Sequence, residues 1–239
     1  LALAPGAVVT LSGAGRVRAW HQDTGAHLWD AAAPAGGAAA LVTITKDAAC
    51  AVVALTGDAL SAWDCGTGTP RPGWPWFAER EDDGVLDSAL PTGSKPALSN
   101  VLVTAPDAGG LVLVAGVAGG KAFVAELDVW KDGAAAASRA AALSSKVTDA
   151  AVVARGGKAG PLVAALQEGG SVAAFDAVAA LAKPNVKEIA VLDGAAALGG
   201  AAPASLVVEP GSGARLLRLT GGGAARLVAG LDDAAMAGG

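Results

Sequence analysis

Between Gly15 and Trp29 the chain alternates polar and apolar side chains, pauses, and resumes. Arg16-Val17-Arg18-Ala19-Trp20 has the period-two pattern of a half-buried strand, Asp23-Thr24-Gly25 supplies turn chemistry, and Leu28-Trp29 begins a second apolar strand. With the apolar run Ala7 to Leu11 ahead of it and a turn at Ser12 to Gly15, this predicts three short antiparallel strands: Ala7 to Leu11, Arg16 to His21 and Ala26 to Asp30.

Degenerate copies follow. A second unit reads Leu41 to Thr45, Cys50 to Leu55, a turn at Gly57-Asp58, and a strand from Leu60 that reaches Trp63 before Thr67-Gly68. Trp63 precedes Thr67-Gly68 at the spacing by which Trp20 precedes Thr24-Gly25, and the two tryptophans lie 43 residues apart. Trp74 then takes the closing place of Trp29, with Pro70 and Pro72 lengthening the approach. A third unit gives Ala97 to Thr104, Leu111 to Val117 and Lys121 to Asp128, with Leu127 in the place of Trp63; Ala134 to Leu143 reads as a short helix or a loop. A fourth gives Thr148 to Ala154, Pro161 to Gln167 and Gly170 to Asp176, with Phe175 in that place. A fifth gives Ala204 to Glu209 and Gly213 to Thr220, with Leu219 there. Leu127 to Phe175 spans 48 residues and Phe175 to Leu219 spans 44, while the 64 residues from Trp63 to Leu127 absorb an acidic insertion at about 75–96.

Intervals of this size filled by about four short strands are those of β-propeller blades. A β-sandwich also has short strands and glycine turns, but has no reason to repeat Trp-x-x-x-Thr-Gly at blade spacing. The expectation is an all-β chain: about five partial four-stranded blades in residues 1–239, forming one propeller domain or an arc of one.

Composition changes this picture little. Of 239 residues 53% are hydrophobic but only 4% aromatic, so Val, Leu, Ile, Phe and Trp must carry most of the burial that Ala cannot. Mean hydropathy is +0.48, yet no run of about 18 strongly apolar residues occurs, so no membrane-spanning helix is expected. A net charge of -5 without a basic patch argues against nucleic acid as a partner. The chain opens on Leu1 within a strand pattern, shows no signal peptide and ends on an incomplete unit; a fragment of a longer protein is expected.

Two cysteines make neither a disulfide framework nor a metal site. With a two-residue turn at Gly57-Asp58, cross-strand partners have numbers summing to 115, as Cys50 and Cys65 do. They face each other as a cross-strand disulfide, which implies an oxidising compartment, or as two packed thiols. His21 and His27 flank the Thr24-Gly25 turn without a third ligand nearby and read as turn-capping or surface residues. Gly119-Gly120 and Gly221 to Gly223 lack the Lys-Ser/Thr ending that cradles phosphate and read as turns. No Gly-x-Ser-x-Gly elbow is present. Glu79 to Asp83 reads as a solvated acidic loop, and Trp76 and Phe77 beside it as candidate partner-contact anchors.

The run Gly15 to Trp29 resembles the quinoprotein-type propeller repeat, approximately Gly-x-Val-x-Ala-Leu-Asp-x-x-Thr-Gly-x-x-x-Trp, with Trp20 where Leu is usual. Gly57 to Gly68 matches its first two thirds, and Gly170 to Asp176 only its strand. The resemblance implies that Trp20, Thr24, Gly25, Trp29, Trp63, Thr67, Gly68 and Trp74 form the structural blade motif. Trp29 and Trp74 would dock between adjacent blades, and each Thr-Gly turn would hold its own hydrogen bonds.

Within that superfamily, residues 8 to 30, and more loosely 41 to 74, look most like the lumenal propellers of the subunit 1 family of the endoplasmic reticulum membrane protein complex. That implies a lumenal, non-catalytic scaffold without cofactor. Its partners would be other subunits of the complex and client membrane proteins during insertion and folding.

Two alternatives share the fold. A quinone-dependent dehydrogenase would need a carboxylate base, oxygen ligands for calcium and, often, vicinal cysteines; the chain has no vicinal cysteines, and its only asparagines are Asn100 and Asn185. A bacterial outer-membrane assembly propeller would differ outside these residues.

Overall fold

A computed structural model describes residues 1–33, 38–46, 48–56, 59–71, 97–103, 111–130, 137–143, 146–155, 160–183, 186–193, 203–208, 216–220 and 225–228. Trp74, Trp76, Phe77, the acidic stretch Glu79 to Asp83, the Gly57-Asp58 and Gly221 to Gly223 turns and Asn185 lie outside them.

The described chain is almost entirely antiparallel β. Its first sheet is a four-stranded meander, β1 (Ala2–Ala4), β2 (Ala7–Leu11), β3 (Arg16–His21) and β4 (His27–Ala32), in sequence order. The second holds β5 (Ala38–Lys46), β6 (Ala49–Thr56) and β7 (Ala59–Asp64). The third is β8 (Ala97–Val103), β9 (Leu111–Ala118), β10 (Lys121–Asp128) and β11 (Ala137–Ala142). The fourth is β12 (Val147–Val153), β13 (Leu162–Gln167), β14 (Val172–Asp176) and β15 (Ala190–Asp193), with the helix α1 (Ala177–Ala182) between its last two strands. The fifth is β16 (Pro203–Val208), β17 (Leu216–Thr220) and β18 (Ala225–Leu227). Each sheet pairs neighbours in sequence, as short turns between antiparallel strands require.

Two compact units contain these elements: Leu1–Asp83 with Val103–Val112 and Leu127–Ser138, and Gly84–Leu102 with Leu113–Glu126 and Arg139–Gly239. In the first unit, Val9, Val17, Ala19 and Trp29 of the first sheet pack against Val52, Ala54, Trp63 and Cys65 of the second. The opposite face of the second sheet, Ala51, Val53, Leu55, Leu60 and Ala62, is buried as well, which is why β6 reads as a continuous apolar run rather than an alternation.

The second unit repeats the arrangement. Val163, Ala165, Ala173 and Phe175 of the fourth sheet pack on Leu113, Ala115, Ala122 and Val124 of the third. The other face of the fourth sheet, Leu162, Ala164, Leu166, Val172 and Ala174, packs on Leu206, Leu216 and Val228 of the fifth. Small alanines on these faces let neighbouring sheets approach, and the larger Val, Leu and Phe fill the space between.

Three elements differ from the pattern reading. Ala137–Ala142, which reads as helix or loop, is the fourth strand of its sheet, because pairing with β10 overrides the helical preference of alanine. Helix α1 was not expected; Asp176 caps it by accepting from the Ala179 N–H at 2.8 Å. In the fifth sheet Leu216, not Leu219, packs against the fourth sheet, and Leu219 stands on the opposite face. A one-residue displacement in a strand exchanges its faces.

Candidate docking site between the first two sheets

The motif residues gather where β4 meets the turn that follows β7. The turns after β3 and β7 are built alike. His21 N–H donates to the Ala26 carbonyl at 2.8 Å and Gly25 N–H to the His21 carbonyl at 2.9 Å; Asp64 N–H donates to Thr69 and Gly68 N–H to Asp64, each at 2.9 Å. Thr24 Oγ1 accepts from the Ala26 N–H, as Thr67 Oγ1 does from the Thr69 N–H, both at 3.3 Å. Threonine serves at this position because its hydroxyl reaches the backbone two residues on.

The first residue of each turn supplies a further acceptor. Asp64 Oδ1 accepts from the N–H groups of Gly66 and Thr67 at 3.0 and 2.9 Å and from the Thr67 hydroxyl at 3.0 Å. His21 stands at the same position and accepts through Nδ1 from the N–H groups of Asp23 and Thr24 at 3.2 and 3.4 Å. Nδ1 is therefore the unprotonated ring nitrogen. His27 meets Trp20 edge to face at 5.2 Å between ring centroids. Both histidines thus have local partners, and among the described residues no three His, Cys, Asp or Glu are grouped to hold a metal ion.

Partial burial pushes the Asp64 carboxyl up. The Thr67 N–H and hydroxyl, the Gly66 N–H and the Arg71 charge outweigh it and hold the group below 3.8. On the first sheet's outer face Asp30 is likewise held below 3.8, first by hydrogen bonding to Arg16, against some desolvation, and then by Arg18. Arg16 and Arg18 both pair with it.

Trp29 joins the two sheets. The register between β3 and β4 slips at Leu28: Trp20 pairs with His27 but Ala19 pairs with Trp29. Without that bulge Leu28 would face inward and Trp29 outward. As built, Leu28 is exposed and Trp29 is buried, with its ring over Gly68 and its indole N–H donating to the Cys65 carbonyl at 2.7 Å. A Cβ at Gly68 would lie 2.6 Å from the Trp29 ring, and φ there is +69°. Only glycine satisfies both the left-handed backbone and the close approach.

Trp63 is buried beside this site, 2% exposed, opposite Val52. Cys50 and Cys65 are disulfide-bonded with Cα atoms 5.4 Å apart, and the neighbouring pairs Ala51–Asp64 and Val52–Trp63 carry the register that the two-residue turn predicts. Trp20 differs from Trp63: it is half-buried on the outer face of the first sheet, where its indole N–H donates to Thr10 Oγ1 at 3.3 Å. Sequence reasoning missed the turn-capping equivalence of His21 and Asp64, although both stand where the repeat has aspartate.

No protein-family model and no curated protein matches the sequence. Among solved structures, the chain is similar to BamB from Moraxella catarrhalis, with a TM-score of 0.49 and 14% identity over 96% of this chain and 60% of that one. It is also similar to the computationally designed Ika8 protein, with a TM-score of 0.44 and 15% identity over 95% of this chain and 69% of that one. The chain therefore spans 60% of the length of BamB.

Proposed function

We propose that the chain is a run of quinoprotein-like β-propeller blades acting as a non-catalytic scaffold, in the lumenal part of an endoplasmic reticulum membrane protein complex. The observation that carries the propeller reading is the Trp29 dock. A closing tryptophan from one four-stranded meander lies on the Thr-Gly turn of the next sheet, within a chain whose sheets follow one another at blade intervals. The scaffold reading rests on how the motif residues are used. Trp29, Trp63, Thr67 and Gly68 join sheets, and His21 and Asp64 cap turns. The Cys50–Cys65 disulfide supports an oxidising compartment, and the lumenal assignment itself rests on the sequence resemblance.

Affinity purification of the tagged chain from microsomes, scored for the other subunits of the membrane complex, tests this. Stoichiometric recovery is expected; a chain recovered without them overturns the assignment. Pyrroloquinoline quinone with calcium is expected to leave the melting temperature unchanged. A rise at saturating ligand would instead favour the dehydrogenase alternative.

A further inference from the structure

Arg71 follows the turn after β7. Its backbone N–H donates to the Ala62 carbonyl at 2.9 Å, and the residue before it, Pro70, bridges to Trp63, so the backbone here is held beside β7. Its side chain reaches another turn: the guanidinium carbon lies 4.7 Å from the centroid of the Trp130 ring. Trp130 is fixed in the turn after β10, where its backbone N–H donates to Asp128 Oδ1 at 3.0 Å, as the Gly66 N–H does to Asp64 Oδ1 after β7. Arg71 and Trp130 belong to the same compact unit.

The ring face offsets part of the guanidinium charge but accepts neither side chain's remaining hydrogen bond. Arg71 Nε and Trp130 Nε1 are both shut off from water, and neither has an acceptor among the described residues. A buried N–H left unpaired is destabilising, and here two stand together, one of them cationic. Asp64 feels the Arg71 charge, but its Oδ1 accepts from Gly66 and Thr67, and the ion pairs among the described residues do not include Arg71. The pair lacks an acceptor, not a donor.

The chemistry of that acceptor follows from the donors. A guanidinium presents a planar fork that matches the two oxygens of a carboxylate, and an indole N–H can only donate. The nearby Asp64 charge and the net charge of -5 disfavour a doubly charged anion such as phosphate.

We propose that Arg71 and Trp130 form a binding site for a small carboxylate. The Arg71 fork takes the carboxylate edge through Nε, Trp130 Nε1 donates to one of its oxygens, and the indole face stays against the guanidinium. Both residues are partly exposed, so the ligand reaches them from solvent and not through the core. A free small acid and an acidic side chain of a protein partner present the same group. The site stands whether or not the chain works in a membrane complex, since it needs only these two side chains.

The test is a titration of the ¹⁵N-labelled full chain with sodium acetate, the ionic strength being held constant with sodium chloride. The Trp130 indole and Arg71 Nε–H signals, identified by their absence from the Trp130→Phe and Arg71→Lys spectra, are expected to move together and to saturate. Trp130→Phe keeps a ring beneath Arg71 and removes only the donor; acetate, followed on the Arg71 signal, should bind it at least tenfold more weakly. Arg71→Lys keeps the charge without the fork and should weaken acetate to a similar extent, followed on the Trp130 signal. An N-acetylated tri-glutamate peptide that saturates the signals at a tenfold lower concentration than acetate would identify a protein carboxylate as the source. Parity with acetate would identify a free acid, and either result supports the site.

Signals that do not saturate with acetate overturn the proposal, as does chloride or phosphate acting as strongly as acetate. So does acetate binding to Trp130→Phe with undiminished affinity. The parent titration decides by itself if either variant fails to fold.

Discussion

The indole N–H of Trp29 donates to the backbone carbonyl of Cys65 at 2.7 Å, across the boundary between the first two sheets and 36 residues along the chain. One side chain thus supplies an aromatic surface to the core and a hydrogen bond that fixes where that surface lies. The two contributions can be separated. Trp29→Phe keeps most of the ring but leaves a buried carbonyl unpaired, an expected loss of about 1–2 kcal/mol. Trp29→Ala also opens a cavity, and an expected loss of about 3–5 kcal/mol follows. Urea unfolding of the two variants checks the order; no loss in Trp29→Phe would mean that the hydrogen bond contributes nothing, and equal losses in the two that the ring contributes nothing beyond it.

Gly68 and Gly25 form a matched pair for separating backbone strain from steric exclusion. Alanine at Gly25 bears only the left-handed conformation, about 1 kcal/mol. Alanine at Gly68 bears the same strain and also places a methyl 2.6 Å from the Trp29 ring, so a loss of about 3 kcal/mol or more is expected. Chemical denaturation of Gly25→Ala and Gly68→Ala beside the parent chain measures the difference.

Much of this was legible from residues alone, and particular positions show why. Strand-turn-strand alternation and the turn residues located β2, β3, β6, β7, β13 and β14 within one or two residues, because alternation and turn chemistry are local. That Cys50 faces Cys65 follows from the length of a single turn, whereas the bond between them, which the sequence leaves open, is a finding of the structure. That Trp29 faces inward depends on a bulge at Leu28, which carries no Gly or Pro to mark it. Leu219 takes the place of Trp63 by spacing, but its face does not follow: along a five-residue apolar strand, spacing fixes the strand but not its face. Helix α1 carries a local signal, Asp176 before Ala-Val-Ala-Ala-Leu-Ala, but it is only six residues long and lies inside a strand repeat. The difference between the covered Gly68 and the open Gly25 is tertiary and has no sequence signal.

His21 does with an imidazole what Asp64 does with a carboxylate, at slightly longer distances. His21→Asp should shorten both bonds and make them charge-assisted, an expected gain of about 0.5–1 kcal/mol. His21→Ala, which leaves two turn N–H groups to solvent, should cost about 1 kcal/mol. Thermal unfolding followed by circular dichroism reads both, and a loss on His21→Asp would show that the two turns are not equivalent.

The disulfide closes the hairpin whose far end presents Gly68 to Trp29. Its two cysteines are 15 residues apart, and a loop of that length corresponds to about 3 kcal/mol of chain entropy in the unfolded state. The double variant Cys50→Ala, Cys65→Ala should therefore lose about that much stability. Dithiothreitol should weaken the parent chain and leave the double variant unaffected. An unchanged parent midpoint under full reduction, verified by thiol titration, would refute the assignment.

Acid should act on the same turn. Asp64 is held below its ordinary value in the folded chain, so it contributes stability at pH above 3.8, and that contribution is lost as the pH falls through the lower folded value. Protonation removes the charge from an acceptor of three hydrogen bonds, loosening the turn on which Trp29 rests. Asp30 acts in the same direction through Arg16 and Arg18, so the whole chain should lose stability progressively below about pH 4. Asp64→Asn keeps an acceptor oxygen but cannot titrate. It should be less stable than the parent chain at neutral pH by about 1 kcal/mol, and should converge on it as both are acidified. Urea midpoints at a series of pH values between 2 and 7 check this; a constant gap across the series would place the origin of the depressed Asp64 value elsewhere.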